Sequence, residues 1–242
     1  MLAVILAAGR GARLTPITDE VPKALVEVEP GLTLLELAMC SLRAAGVEEL
    51  VVVAGYRARK IEEALSGLEN VEVVRNPEYW RENGFSLLKA REAVGGREFV
   101  LVMADHVFEP ELVLQAVRAG PLSLCVDREG RYLLDPGEAT KVRLGPGGLI
   151  MAIGKHLRTY DGYDTGVFAC DERIFWAAEE LVKRSFSVSV SDCVSFLISR
   201  GLPFRAADAT GLMWADVDTH EALKHVREHM LPELMDKLGG VP

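Results

Sequence analysis

The sequence predicts an α/β fold: a doubly wound, mostly parallel open sheet with a small antiparallel extension. Three observations carry this expectation. Apolar runs of strand length alternate with amphipathic helical patterns through the first half of the chain. The first run, Leu2–Ala7, is apolar at every position, as suits a parallel strand covered on both faces. Beyond residue 121 the pattern changes to short β-like pieces separated by Gly/Pro breakers.

In chain order, a helix is expected over Leu34–Ala45, stopped by Gly46, then a strand at Glu49–Ala54 and a helix at Arg57–Leu65. A strand at Val71–Arg75, a loop and a helix from Phe85 to Val94 follow. Phe99–Ala104 reads as a strand ending abruptly on Asp105, and Glu109–Arg118 as a helix. The second half gives strands at Leu122–Asp127, Thr140–Leu144, Leu149–Ile153 and Gly162–Ala169, then helices at Glu172–Lys183 and Asp192–Ser199, with Ser191 as N-cap of the latter. A short strand at Trp214–Val217 leads into a last helix from Thr219. No linker or repeat interrupts the chain, so 1–242 is expected to form a single domain. Within it, 1–120, 121–218 and 219–242 are expected to form successive parts, the last a C-terminal helix.

A net charge of −9 argues against a broad nucleic-acid or anionic-membrane footprint. It leaves room for a phosphate ligand, which needs only local cations and backbone N–H groups. Cys40, Cys125, Cys170 and Cys193 form no CxxC pair and read as reduced thiols of a cytoplasmic protein. There is no apolar run of membrane-spanning length, and Met1–Ala8 is too short for a signal segment. The only side-chain amides are Asn70, Asn76, Asn83 and Gln115, a scarcity that fits either a thermophilic source or GC-rich coding.

The most informative segment is LAAGRGARLTPITDEVPKAL, residues 6–25. Leu6, Ala8, Gly9 and Gly11 follow the first strand directly, so the backbone can approach a ligand and aim N–H groups at phosphate. Arg13 and Lys23 add a forked and a point-like cation. A Rossmann loop is excluded because Leu14 occupies the third glycine position, and a Walker loop because Gly-Lys-Ser/Thr is absent. Pro16 and Pro22 are expected to keep the segment extended.

Asp105 closes an apolar strand, where an uncompensated carboxylate costs desolvation energy. Mg²⁺, which takes oxygen ligands from one or two carboxylates and substrate phosphates, suits it. Asp216 and Asp218, in Trp-Ala-Asp-Val-Asp-Thr, are candidates for a second ligand, and Asp218 could instead cap the final helix. The five histidines show no zinc-ligand spacing, and His220, His225 and His229 read as surface residues. Arg81–Leu87 reads as a turn and cap before a helix. Lys141 and Lys155 sit among β-like residues, and Asp164-Thr165-Gly166 places small polar groups in an apolar strand, as suits hydroxyl recognition.

The loop resembles the signature of the nucleotidyltransferases that activate sugar phosphates, phosphocholine and inositol phosphate. That resemblance implies a Rossmann-like nucleotidyltransferase fold, a loop wrapped round a triphosphate, phosphate contact by Lys23, and Mg²⁺ on Asp105 and Asp218. It also implies Asn83 and Ser86 at the nucleobase, with 1–120 as the nucleotide-binding part and 121–218 as the acceptor-binding part. Met-Ala-Asp-His-Val-Phe-Glu-Pro, Glu-Asn-Gly-Phe-Ser-Leu-Leu, Ile-Gly-Lys-His-Leu and Tyr-Asp-Thr-Gly-Val-Phe resemble the CTP:inositol-1-phosphate cytidylyltransferases more narrowly. The expected reaction joins CTP to myo-inositol 1-phosphate, giving CDP-inositol and pyrophosphate. Lys141 or Lys155 would hold the acceptor phosphate, and Asp164 and Thr165 its hydroxyls. Sugar 1-phosphate and phosphocholine transfer are the alternatives, though no aromatic cage for choline is evident; a regulatory module without turnover is a third. Partners are expected to be small molecules, with no stable membrane insertion and a separate membrane synthase downstream.

Overall fold

The computed structural model describes residues 1–239. Strand β1 (Leu2–Ala7) leads into the glycine loop, and β2 (Glu27–Glu29) and β3 (Leu32–Thr33) form a small hairpin. Strands β4 (Glu49–Ala54), β5 (Val71–Arg75), β6 (Phe99–Met103), β7 (His106–Phe108) and β8 (Ser123–Asp127) follow. The second half adds β9 (Lys141–Leu144), β10 (Ile150–Gly154), β11 (Gly162–Cys170), β12 (Arg205–Asp208) and β13 (Trp214–Asp216).

Among the described residues the main sheet has nine strands, with the path β10-β9-β11-β6-β1-β4-β5 and β8 and β12 joined beside β11. β1 lies between β4 and β6 and is parallel to both. β11 runs antiparallel to β6, β8 and β9. The antiparallel strands therefore continue the main sheet rather than forming a separate layer.

Alternation along β1 explains the doubly covered core. Leu2, Val4 and Leu6 pack toward helices Asn83–Lys89, Glu172–Val182 and Val190–Ser199. Ala3, Ile5 and Ala7 pack toward helices Leu34–Ala44, Ala58–Ala64 and Pro110–Ala119. A third apolar cluster joins Leu14 of the glycine loop and Val26 and Val28 of the hairpin to Val217, Val226 and Leu234 near the C-terminus. That cluster ties both ends of the chain to one edge of the sheet.

Several elements differ from expectation. The glycine loop is not extended: it coils into short helical turns at Ala12–Leu14, Ile17–Glu20 and Lys23–Leu25. Pro16 and Pro22 stand immediately before two of these turns, where a missing N–H is tolerated. The helix expected over Phe85–Val94 starts at Asn83 and breaks at Ala90. The C-terminal helix is α over His220–His225, π over Val226–Met230 and α again over Leu231–Lys237; 240–242 of the expected span lie outside the described residues. Its N-cap is Thr219, whose hydroxyl accepts from the Ala222 N–H, so Asp218 is not spent as the cap.

The cap of helix Val190–Ser199 is Ser189, not Ser191. Its hydroxyl accepts from the Asp192 N–H at 3.1 Å while the Asp192 carboxylate accepts from the Ser189 N–H at 2.8 Å. Ser189→Ala should therefore cost about 1 kcal/mol in urea unfolding, whereas Ser191→Ala should leave the midpoint within experimental error.

Candidate active site

Sheet register brings the loop and the first carboxylate together. Leu6 of β1 is level with Met103 of β6, so Gly9 and Asp105 both lie just past carboxyl ends of neighbouring strands, where ligands of open α/β sheets bind. The second carboxylate arrives through a different pairing. β13 runs antiparallel to β7 with Asp216 opposite His106, and the Val217 N–H donates to the Asp105 carbonyl at 2.8 Å. This places Asp218 beside Asp105, although 113 positions separate them in the sequence.

Lys23 joins the two. Its ammonium donates to Asp105 Oδ2 at 2.6 Å and also to Asp218 Oδ1. Arg13 donates to the other Asp218 oxygen. Gly11 makes this packing possible: its φ is +70°, and a Cβ there would lie 2.8 Å from the Lys23 Cβ. The Thr18 hydroxyl fixes the turn by donating to the Gly11 carbonyl at 2.8 Å. Burial opposes charge on Lys23, but the two carboxylates outweigh it and raise its pKa. Burial likewise works against the Asp105 carboxylate, and the Lys23 ammonium and His106 hold it well below the usual carboxylate range.

A cavity of about 720 Å³ opens over this edge. One end is lined by Leu6, Ala8, Gly9, Trp80, Asn83 and Ser86; the other by Glu138, Thr140, Lys155, His156 and Asp164. Asp105, His106, Asp216 and Asp218 lie in the same lining. Gly11 and Lys23 are not in it; they support it from behind. Arg13 lines a smaller adjoining cavity that shares Asp216 and Asp218 with the larger one.

At the first end, the Asn83 Oδ1 accepts from the Val190 N–H at 2.8 Å, and the Ser86 hydroxyl accepts from Asn76 Nδ2 at 3.0 Å. Both residues therefore brace helices while lining the cavity. At the second end, Lys155 is exposed into the cavity. Lys141 is not: it is buried, and its ammonium donates to the carbonyls of Gly137, Ala139 and Lys155. Thr165 is fully buried and donates to the Cys125 carbonyl at 3.0 Å. The expected acceptor contacts of Lys141 and Thr165 are thus replaced by structural ones, because neither side chain reaches the cavity.

His106 was missed by the sequence reading. Its Nδ1 lies 2.9 Å from Asp105 Oδ1. Its ring stacks on Trp214, 6.4 Å between centroids and 12° between planes. Gly166, at φ +78°, makes room for it, since a Cβ there would come 2.6 Å from His106 Cδ2. Burial opposes charge on His106, yet Asp105, Asp216 and Asp164 raise its pKa. The one sequence signal was its place directly after Asp105. Asp164 is pushed up to about 6 by burial, against the Gly166 N–H that donates to it at 2.8 Å.

The chemistry available is therefore anion binding at a glycine loop, with two carboxylates converging on one cation position. Among the described residues no group of three or more His, Cys, Asp or Glu side chains forms a metal cluster. Two carboxylates with substrate phosphates nonetheless make a sufficient oxygen donor set for a hard divalent cation. The Lys23 ammonium shows that the pair accepts a cation between them.

Residues 3–171 match the MobA-like NTP transferase domain. The chain belongs to that family. It is 37% identical over 239 residues to the “Bifunctional IPC transferase and DIPP synthase” of Aquifex aeolicus, covering 98% of this chain and 53% of the relative. It is 41% identical over 235 residues to the protein of the same description from Rubrobacter xylanophilus, covering 95% and 52%. The chain spans about half the length of these curated relatives. The solved structure of the inositol-1-phosphate CTP transferase from T. maritima superposes with a TM-score of 0.88 at 27% identity, covering 100% of this chain and 97% of that one. Among the described residues no helix is long and apolar enough to cross a membrane.

The raised Asp164 pKa makes a prediction about stability. An acid whose folded pKa exceeds its unfolded value stabilises at low pH and loses that contribution as pH rises through the folded value. Asp164→Asn should raise the thermal unfolding midpoint at neutral pH, and the gain should vanish as pH falls from about 6 to below 3.8.

Proposed function

We propose that this NTP transferase is a CTP:inositol-1-phosphate cytidylyltransferase that uses Mg²⁺ and releases CDP-inositol and pyrophosphate. The observation that carries the reading is the Lys23–Asp105–Asp218 group behind a glycine loop, at the mouth of a cavity with two chemically distinct ends. The superposition on the T. maritima enzyme, which spans nearly the whole of both chains, supports the choice of substrates.

In this reaction an acceptor phosphate oxygen bonds to the α-phosphorus. The bond from that phosphorus to the bridging oxygen breaks, and pyrophosphate leaves with the electron pair. The nucleophile is already anionic, so no strong base is required, and catalysis rests on position and charge. Gly9 brings the loop backbone to the triphosphate, and Gly11 leaves room for the Lys23 stem behind it. Lys23 and Arg13 neutralise the β- and γ-phosphates and the departing pyrophosphate, exchanging their present carboxylate partners for phosphate. Asn83 and Ser86 face the base. Lys155 meets the acceptor phosphate, and Asp164 accepts from an acceptor hydroxyl. His106, held by Asp105 through Nδ1, presents Nε2 as a donor on the acceptor side. Mg²⁺, held by Asp105 and Asp218, would supply the remaining charge neutralisation on the phosphate oxygens.

Pyrophosphate release should be greatest with CTP and inositol 1-phosphate across a panel of triphosphates and phosphorylated acceptors. A glucose 1-phosphate preference would overturn the acceptor assignment, and release from no pair would overturn the enzymatic reading. Lys23→Met should lower turnover by roughly a hundredfold, the usual loss of one transition-state donor. It should also lower the unfolding midpoint, because two carboxylates then face each other without a cation. Added Mg²⁺ alone should restore that midpoint more in Lys23→Met than in the parent protein.

A further inference from the structure

The feature left unused by this mechanism is an aromatic ladder whose last two rings, Tyr79 and Trp80, line the cavity. It starts at the glycine loop. The guanidinium carbon of Arg10 lies 5.6 Å from the Tyr56 ring centroid, and that of Arg57 lies at the same distance. Tyr56 meets Tyr79 edge-on at 5.9 Å, and Tyr79 meets Trp80 edge-on at 5.5 Å. Trp80 ends the ladder. It lines the cavity yet is 64% exposed.

The turn that carries Trp80 is fixed. Gly55 allows it to sit against the end of β1: a Cβ at Gly55 would come 2.4 Å from Tyr79 Cβ and 2.8 Å from Ala8 Cβ. Asn76 Oδ1 accepts from the Glu78 N–H at 2.9 Å. Arg81 donates to Glu78 at 2.8 Å and to the Phe186 carbonyl at 2.9 Å, with its guanidinium 3.4 Å from the Phe85 ring centroid. The backbone is thus anchored on both sides, while Trp80 lines the cavity and stays largely exposed. A large apolar ring left uncovered by a braced turn, at the end of the cavity lined by Gly9 and Asn83, lacks a flat apolar partner.

We propose that Trp80 is the stacking platform for the nucleobase of the triphosphate. This rests on the reading that the cavity takes a nucleoside triphosphate, and adds the residue that holds its base. Stacking uses the π-face that every base has, so it contributes affinity without choosing among bases. Trp80 should therefore support CTP and UTP alike and contribute nothing to a ligand that has phosphates but no base.

Binding without turnover tests this, by calorimetry with CTP, UTP and inorganic tripolyphosphate. Trp80→Ala should weaken CTP and UTP by a similar factor, between about fivefold and about a hundredfold, and leave tripolyphosphate unchanged. Trp80→Phe, which keeps a ring, should retain most of the affinity. CTP should also quench tryptophan emission more strongly in the parent protein than in Trp80→Phe, since Trp80 is exposed in the cavity, whereas Trp214, though part of the lining, is buried and Trp176 lies on helix Glu172–Val182, outside the lining. Unchanged CTP affinity in Trp80→Ala, an equal loss for tripolyphosphate, or full quenching in Trp80→Phe would each overturn the assignment. Failure of the parent to bind any triphosphate overturns both this inference and the cytidylyltransferase reading. Nucleotide binding that ignores Trp80 overturns only the inference.

Discussion

The Lys23 ammonium held between Asp105 and Asp218 is the interaction on which the rest of the site depends. Two carboxylates brought together from distant parts of the chain repel unless a cation lies between them. A buried lysine is equally costly without partners. Each group therefore makes the others tolerable, and the surrounding fold is arranged to deliver all three. Gly11 leaves room for the lysine stem, β13 pairs with β7 to carry Asp218 in, and the apolar cluster around Leu14 and Val217 fixes both segments from behind. The same arrangement suits a site whose ligand brings both negative phosphates and a divalent cation.

Charge is also graded across the cavity. Arg13 and Lys23 stand at the carboxylate pair, while the acceptor end mixes Lys155 and His156 with Asp164, Asp216 and Glu138. A chain of net charge −9 can thus host a polyanion, because the cations are concentrated where phosphate would lie. Burial opposes charge on His106, but Asp105, and after it Asp216 and Asp164, raise its pKa. Acceptors of hydrogen bonds near a cationic donor suit a ligand rich in hydroxyls that also carries a phosphate.

The antiparallel strands decide the shape of this second end. β11 extends the parallel sheet beyond β6, and β9 and β10 then build the wall that holds Lys155. Lys141 tightens that wall through three backbone carbonyls rather than by touching ligand. Among the described residues no carboxylate is in contact with its ammonium, so it adds to the positive potential behind this end of the cavity.

The sequence by itself determined the layered fold, the glycine loop and the position of Asp105, because each is a local pattern. An all-apolar run can only be a covered strand or a buried helix, and its length and flanking glycine choose the strand. A carboxylate at the end of such a run has no place in the core. The tertiary structure alone decided which side chains line the cavity. Asp164 and Thr165 are adjacent on β11, and alternation sends one to the cavity and the other into the core; only the pairing of β11 with β6 and β8 determines which. Lys141 and Lys155 looked alike in sequence for the same reason. His106 gains its role from Trp214 and Gly166, more than fifty residues away, and Asp218 is free to meet Lys23 because Thr219 took the cap. Such long-range choices leave no local pattern: they follow from strand register, and register is fixed only when the whole sheet closes on its core.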